Sequence, residues 1–544
     1  MSLLAIDDLT VSIGSVPILK GVSLGLARGE VLGIVGESGS GKSMTALSIM
    51  RLLPYRAVCG GTVVFDGEDL AALDERALCA RRGRTLGMVF QEPMSALNPV
   101  KTIGAQVAET VRVHRRASAA DAADMVRQAL ERVGMPVSRF PLDTYPHELS
   151  GGQRQRVMIA MATVLKPKLL IADEPTTAVD VTTQARILDL LRRLVAEDDV
   201  GLILISHDLA VVADMADRIA IMKDGAVVEQ GETVGLFRTM HNPYSRMLFA
   251  ASTYRSERVR RLQPNEGHGE PILDVSGVVH DYRLARRKLF ARPGHFRAVD
   301  SVSLTIRRGE NLGLVGESGS GKTTLARVIL ALNRPRAGSV ILDGSDFLAS
   351  RGEARRTLRR HVQAVFQDPY GSLDPRYRVA RLIAEPFHLD RTKPSATERR
   401  KRVDEALVAV GLTSADGDKF PHEFSGGQRQ RLAIARALIT RPSLIVLDEA
   451  VSALDVSIRA QILDLLADLG DRFSVSYLFI SHDLTVVRAI TDRVVIMRDG
   501  KIVEHGETER VFADPQHPYT AELIAATPNL ERALAARAQR SAAP

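Results

Sequence analysis

The chain has little cysteine. Its 544 residues contain two, Cys59 and Cys79, both in the first half. Neither sits in a Cys-x-x-Cys pair or a Cys/His cluster, which argues against a disulfide framework and a cysteine-based metal site. No apolar run approaches the roughly 20 residues that a membrane-spanning helix needs. The first residues, Met1 to Asp8, lack a basic segment and reach acids at Asp7 and Asp8, so no secretory signal is expected. A cytosolic protein is the expectation. Charge is not lacking, and its balance is basic, with a formal net charge of +7. The cations are scattered, with short runs at Arg286–Lys288 and Arg399–Arg402, and by themselves they select no partner.

With 45% hydrophobic and 25% charged residues the composition is that of an ordinary globular protein. The length exceeds what one core usually holds, so two or more domains are expected. The sequence GESGSGKS at Gly36–Ser43 returns as GESGSGKT at Gly316–Thr323. Each follows a short apolar run, Val31–Val35 or Leu312–Val315, and precedes residues compatible with helix. Strand, glycine loop and helix form the context in which this pattern binds phosphate. The glycines let the backbone approach closely and aim N–H groups at phosphate oxygens, and the helix start adds partial positive charge. In the first copy the contacts fall to Gly36, Ser38, Gly39, Gly41, Lys42, Ser43 and Met44. In the second they fall to Gly316, Ser318, Gly319, Gly321, Lys322, Thr323 and Thr324. The lysines would reach the β- and γ-phosphates of a nucleotide, and Ser43 and Thr323 would put a hydroxyl on Mg²⁺.

Further motifs keep the same register. Lys42 and Lys322 lie 280 residues apart, Gln91 and Gln367 lie 276 apart, and Ser150/Ser425, Glu174/Glu449 and His207/His482 each lie 275 apart. So steady an offset means a duplicated domain. We expect a first unit over residues 1–251, a polar linker over 252–270, a second unit over 271–527 and a tail over 528–544. The end of that tail, Ala535–Pro544, reads as a frayed helix or a disordered segment. In each unit an apolar strand ends on two acids, Asp173-Glu174 and Asp448-Glu449, at the strand edge where open α/β sheets bind ligands. The first acid suits the Mg²⁺ shell and the second can polarise a water. Ser150-Gly151-Gly152-Gln153 and Ser425-Gly426-Gly427-Gln428 each open an amphipathic helix and offer a second anion-binding helix start.

These motifs, in this order and twice, resemble those of ATP-binding cassette (ABC) ATPases over about residues 3–250 and 272–525. The resemblance makes Ser-Gly-Gly-Gln the signature that closes over nucleotide held by the opposite domain. It makes Gln91 and Gln367 the Q-loop glutamines, which sense the γ-phosphate and its Mg²⁺ and contact the membrane subunits, Asp180 and Asp455 the D-loop acids, and His207 and His482 the switch histidines. Two composite sites are implied. Site one has Lys42, Ser43, Gln91, Asp173, Glu174 and His207, closed by Ser425 and Gly427. Site two has Lys322, Thr323, Gln367, Asp448, Glu449 and His482, closed by Ser150 and Gly152. Both keep the acid and the histidine, so both are expected to hydrolyse ATP. The family's adenine-stacking aromatic matches Tyr282 in the second unit and falls on Ile13 in the first, which implies weaker nucleotide binding at site one.

The resemblance implies an α/β fold: two tandem P-loop ABC ATPase domains, each with an α/β core, a small antiparallel β part and a helical subdomain. Ala119–Leu130 reads as one helix of that subdomain. Phe90–Pro99, Phe366–Pro375, His241–Tyr244 and His517–Thr520 resemble the dipeptide, oligopeptide and nickel importers. Such an ATPase is peripheral on the cytoplasmic face, docks on two transmembrane permease subunits and works with an extracellular substrate-binding protein, with no nucleic-acid partner. Short peptides lead as cargo, and glutathione, haem or a nickel chelate are alternatives. Some relatives carry a cysteine cluster for an iron–sulfur centre, which is not expected here. A tandem ABC translation factor is the alternative from another class. It would place a long charged helix where this chain has about 20 residues with Pro and Gly.

Overall fold

The computed structural model describes residues 2–115, 117–177, 179–253, 270–283, 294–452 and 454–542. Most of the polar linker and the basic run at 286–288 lie outside the described residues. The chain divides into two units. One is Met1–Thr253 with Asp455–Ser457 and Pro528–Pro544, and the other is Tyr254–Leu454 with Ile458–Thr527.

The first unit opens with a four-stranded antiparallel sheet in the order Val16–Ala27, Ser2–Ile13, Ala57–Phe65, Glu68–Asp69. Its leading strand buries Leu4, Ile6, Leu9 and Val11, and a bulge keeps Leu9 on the core face. Asp8 there has φ 48, and the pairing shifts register between Ile6 and Leu9. A six-stranded sheet follows, in the order Ala226–Glu232, Arg218–Lys223, Val31–Val35, Gly201–Ser206, Leu169–Asp173, Leu86–Val89. All its pairings are parallel except the one at the Ala226–Glu232 edge. Strands covered on both faces need apolar residues throughout, and every residue of Val31–Val35 and Leu169–Asp173 is buried.

The helical subdomain packs Ile103–His114 and Ala119–Arg132 on the helix Gly151–Thr163. The helix read from Ala119 starts there, with the Ser118 hydroxyl accepting from the Asp121 amide at 3.1 Å. The second unit repeats both sheets. Its parallel core runs Val362–Val365, Leu444–Asp448, Ser476–Ser481, Asn311–Val315, Arg493–Arg498 and antiparallel Lys501–Glu507. Each unit is therefore an α/β core with a small antiparallel sheet and a helical subdomain.

The described part of the C-terminal segment, up to Ala542, is more ordered than its Ala/Arg-rich composition suggests. Leu530–Ala542 is a helix that packs on Leu209–Met215 of the first unit. Leu530 and Ala533 enter that unit's core, and Arg537 lies 3.2 Å from Asp217. Propensity alone leaves such a segment frayed. The buried apolar face supplies the stability that an isolated short helix lacks.

Candidate functional site

Strand order places the site. Four adjacent parallel strands deliver their carboxyl ends side by side, with Val35 opposite Ser206, Asp173 opposite Ile205 and Val89 opposite Ala172. The next residues on those strands are the P-loop from Gly36, His207, Glu174 and, shortly after Val89, Gln91. The second unit repeats this, with Val315 opposite Ser481, Asp448 opposite Ile480 and Val365 opposite Leu447.

The loop wraps tightly because its glycines allow it. Gly41 has φ 103 and caps the helix Lys42–Ile49, while a side chain on Gly36 would meet the Met222 carbonyl oxygen at 2.3 Å. Lys42 Nζ donates to the carbonyls of Gly36 at 2.8 Å and Glu37 at 2.9 Å, and Lys322 makes the same bonds at 2.7 and 2.8 Å. Burial lowers the Lys42 pKa, and neighbouring carboxylates, Glu174 first among them, recover part of it. Ser43 Oγ donates to Asp173 at 3.2 Å, and Thr323 Oγ1 to Asp448 at 3.5 Å. Burial raises the pKa of both aspartates.

The second acid of each pair stands in strained backbone. Glu174 has φ 46 and Glu449 φ 50, a left-handed conformation uncommon for such a residue and suggestive of a functional constraint. The Glu174 carboxylate accepts from Gln91 Nε2 at 2.9 Å and Thr177 Oγ1 at 2.8 Å, with His207 Nδ1 at 3.4 Å. Burial pushes its pKa up, but His207, Thr177 and Lys42 outweigh that and hold it at about 2. Glu449 accepts from Gln367 Nε2 at 2.8 Å and faces His482 Nδ1 at 3.2 Å. Burial pushes its pKa up, and His482 outweighs that to leave it low. His482 in turn is lowered by burial and raised further by Glu449. The counterpart of Thr177 is Ser452, whose hydroxyl donates to the Glu449 backbone carbonyl at 2.9 Å, so the second carboxylate has one donor fewer.

The signature serines are N-caps. The Ser150 hydroxyl accepts from the Gln153 amide at 3.3 Å while Gln153 Oε1 accepts from the Ser150 amide at 2.9 Å, a capping box that Ser425 and Gln428 repeat. Each serine keeps its own O–H proton to donate elsewhere. Gly152 is fixed by packing, since a side chain there would lie 2.2 Å from Thr183 Cγ2, and Gly427 would meet Ile458 Cγ2 at 2.5 Å. Gly426 has open space on its side-chain face. Among the described residues, no hydrogen bond joins Ser150, Gly151, Gly152 or Gln153 to the P-loop of the same unit. Asp180 caps its own helix, accepting from the Thr183 amide at 2.9 Å. Tyr282 reaches the P-loop helix, its hydroxyl 3.3 Å from Thr324 Oγ1 and 3.2 Å from Asn333 Nδ2. Ile13 pairs with Val16 and Ala57 at the matching strand end.

Two residues at the site escaped the sequence reading as site residues. The hydroxyl of Tyr244 accepts from the Glu37 amide in the first P-loop at 3.2 Å, and that of Tyr519 accepts from the Glu317 amide in the second at 3.0 Å. Both rings are buried, with Lys223 Nζ 4.9 Å from one ring centroid and Arg498 4.7 Å from the other. Burial pushes the Tyr244 pKa up to about 12, so its hydroxyl stays neutral. The signal was present, since both tyrosines follow a proline in the paired His241–Tyr244 and His517–Thr520 segments.

Chemically each arrangement is an anion-cradling loop, a hydroxyl–carboxylate pair and an ionised glutamate beside a histidine. Among the described residues no group of three or more His, Cys, Asp or Glu side chains forms a metal cage. A serine or threonine hydroxyl with one carboxylate fits Mg²⁺ shared with nucleotide phosphates. Among the described residues no helix is long and apolar enough to cross a membrane.

Comparison with known proteins bears on the family of the chain. The family model described as "ABC transporter" matches residues 19–177 and 299–452, and "Oligopeptide/dipeptide transporter, C-terminal region" matches 503–544. The chain is 45% identical to the peptidoglycan transport ATP-binding protein YejF of Agrobacterium fabrum, over 97% of each chain. It is 43% identical to the glutathione import ATP-binding protein GsiA of Escherichia coli O157:H7, over 97% of this chain and 90% of that one. A solved dimeric ATP-binding cassette bound to ADP and Pi is 29% identical, spanning 43% of this chain and 98% of its own, with a TM-score of 0.39.

Proposed function

The chain belongs to the ABC transporter ATPases, in their oligopeptide/dipeptide branch, and from that premise we propose that it is the energy-coupling subunit of an importer for short peptides. One observation carries the reading: a complete set of P-loop lysine, hydroxyl–carboxylate pair, glutamine-held glutamate and histidine is present in both units. A fused pair fixes the stoichiometry of the two halves and raises their effective concentration for each other.

In this reading each P-loop binds one ATP. Lys42 and Lys322 release their carbonyl partners and turn to the β- and γ-phosphates. Ser43 with Asp173, and Thr323 with Asp448, would hold Mg²⁺, which would supply charge neutralisation at the phosphates. Glu174 and Glu449 orient and polarise the attacking water once Gln91 and Gln367 let go of them. His207 and His482 keep those carboxylates ionised and face the γ-phosphate side. Ser425 and Gly427 complete site one, and Ser150 and Gly152 complete site two, each serine donating the proton its cap leaves unused. Closure on ATP and opening after hydrolysis form a two-state element biased by ligand, and permease helices bound to the helical subdomains follow it.

The relatives' names speak of glutathione and peptidoglycan transport. Glutathione is a peptide and peptidoglycan is partly peptide, so peptide chemistry is the shared element. Two permeases and an external binding protein are the partners, and the protein sits peripherally on the cytoplasmic face of the membrane. Affinity purification from detergent-solubilised membranes of the producing cells tests this. Two multi-span permeases and a binding protein should come along, whereas ribosomal proteins with no permease would sink the transport reading.

A further inference from the structure

A cleft of about 1260 Å³ opens in the helical subdomain of the second unit, between the segment after Gln367 and the helix Ala396–Ala409. Its charge is lopsided. Arg376 is bonded to Asp374, which also feels the charge of Arg381, and Arg400 is bonded to Asp404 and Asp418, while Arg381 and Arg399 form no ion pair within 4.0 Å among the described residues. Arg381 is held in place by the Tyr377 ring, its guanidinium carbon 3.7 Å from the centroid. The duplication supplies an internal control. At the 276-residue offset, Val100 and Ala105 stand at the positions of Arg376 and Arg381. When the two helices are aligned on their caps, Ser118 and Ser395, Ala122 and Ala123 replace Arg399 and Arg400. The first unit has none of these four cations, and Val100 is 80% exposed there.

The cleft wall is also connected. Arg436, on the signature helix Gly426–Leu438, donates to the Ser372 carbonyl in the wall at 2.6 Å and lies 3.9 Å from Glu385 across it. Its counterpart in the first unit is Met161, which has no such donor. An occupant of the second cleft therefore leans on a wall bonded to the signature helix and continuous in sequence with Gln367.

We infer that the second unit's cleft binds an acidic cytoplasmic segment of one permease, while the first unit's counterpart takes a neutral, more apolar segment of the other. This inference rests on the importer reading, and it states which unit prefers which kind of permease. A concave site lined by two arginines without an ion pair suits a carboxylate-bearing chain segment more than a flat lipid surface.

The test uses the full-length double variant Arg381→Glu/Arg399→Glu beside the wild type. Both are tagged and purified from detergent-solubilised membranes of the producing cells, and each permease is quantified by mass spectrometry. Basal ATPase of the purified protein should match the wild type, which establishes that the variant folds. Retention of one permease should fall about tenfold or more while the other is kept, and the lost one should bear acids in a cytoplasmic loop. Changing those acids to lysine should restore binding to the variant. Equal retention of both permeases, or loss of one without such acids, overturns the inference. Unchanged retention with lost binding to phosphatidylglycerol vesicles would assign the arginines to lipid and overturn it as well. If the wild type captures no permease, the importer reading fails first and takes this inference with it.

Discussion

Replacing Gly426 by alanine separates the folding role of the signature from its proposed role in a composite site. Gly426 is the first residue of the helix Gly426–Leu438, right after the Ser425 cap. A side chain there meets nothing within 4 Å, and its backbone is not in the left-handed region. Alanine should therefore stabilise the helix by about 0.5 kcal/mol through lower unfolded-chain entropy. For a unit of this size that is a rise of roughly 1–2 °C in melting temperature. In the proposed composite site the methyl would meet ATP held by the first P-loop. Displacing the phosphate by about 1 Å should cost on the order of tenfold to a hundredfold in rate. The assay is ATP turnover in a Glu449→Gln background, which leaves site one active, beside a thermal melt. Gly427→Ala is the contrast. It must displace Ile458 Cγ2, 2.5 Å away, and should lose about 1–3 kcal/mol of stability. If Gly426→Ala is stable and hydrolyses ATP at the unmodified rate, the signature does not meet nucleotide at that glycine, and the proposed composite site does not form there.

Tyr244→Phe and Tyr519→Phe each remove an acceptor from a P-loop amide, worth about 0.5–1.5 kcal/mol. The KM for ATP should rise by roughly twofold to tenfold at the matching site, measured with the other site silenced by Lys322→Ala or Lys42→Ala, and an unchanged KM would reduce the tyrosines to packing. Glu174, held at about 2 against an ordinary 4.5, contributes stability that is complete above pH 4.5 and is lost as pH falls toward 2, on the order of 3 kcal/mol. Burial raises Asp173 and opposes part of that loss, so the test is the melting-temperature gap between wild type and Glu174→Gln, which should shrink from pH 6 to pH 3. Tyr282→Ala should weaken nucleotide binding at site two toward that of site one, where Ile13 stands in its place, and titration with a fluorescent ATP analogue on each single-site variant reads this directly.

Much of this site was legible because its signals are local. The loop at Gly36–Ser43, the acids at Asp173 and Glu174, and Ser-Gly-Gly-Gln each need only a few consecutive residues, and the duplication repeats each of them. What stayed hidden depends on distance or on single-atom differences. Tyr244 lies 207 residues from the Glu37 amide it accepts from, and no spacing rule connects them. The left-handed backbone at Glu174 and Glu449 follows from the sharp exit of a buried strand, which composition does not record. Thr177 and Ser452 look interchangeable in sequence, yet one hydroxyl turns to the carboxylate and the other to the backbone. The helix Leu530–Ala542 is ordered by Leu530 and Ala533 entering the first unit's core, a partner that cannot be read from an Ala/Arg-rich stretch.

The most direct test of the central claim is the number of ATP molecules trapped per chain in the double variant Glu174→Gln/Glu449→Gln, by rapid filtration of the monomeric protein. Two ATP per chain, falling when either Ser150 or Ser425 is replaced by arginine, is the predicted result. One ATP per chain, or trapping that appears only when two chains associate, would contradict a single polypeptide that completes both of its own sites.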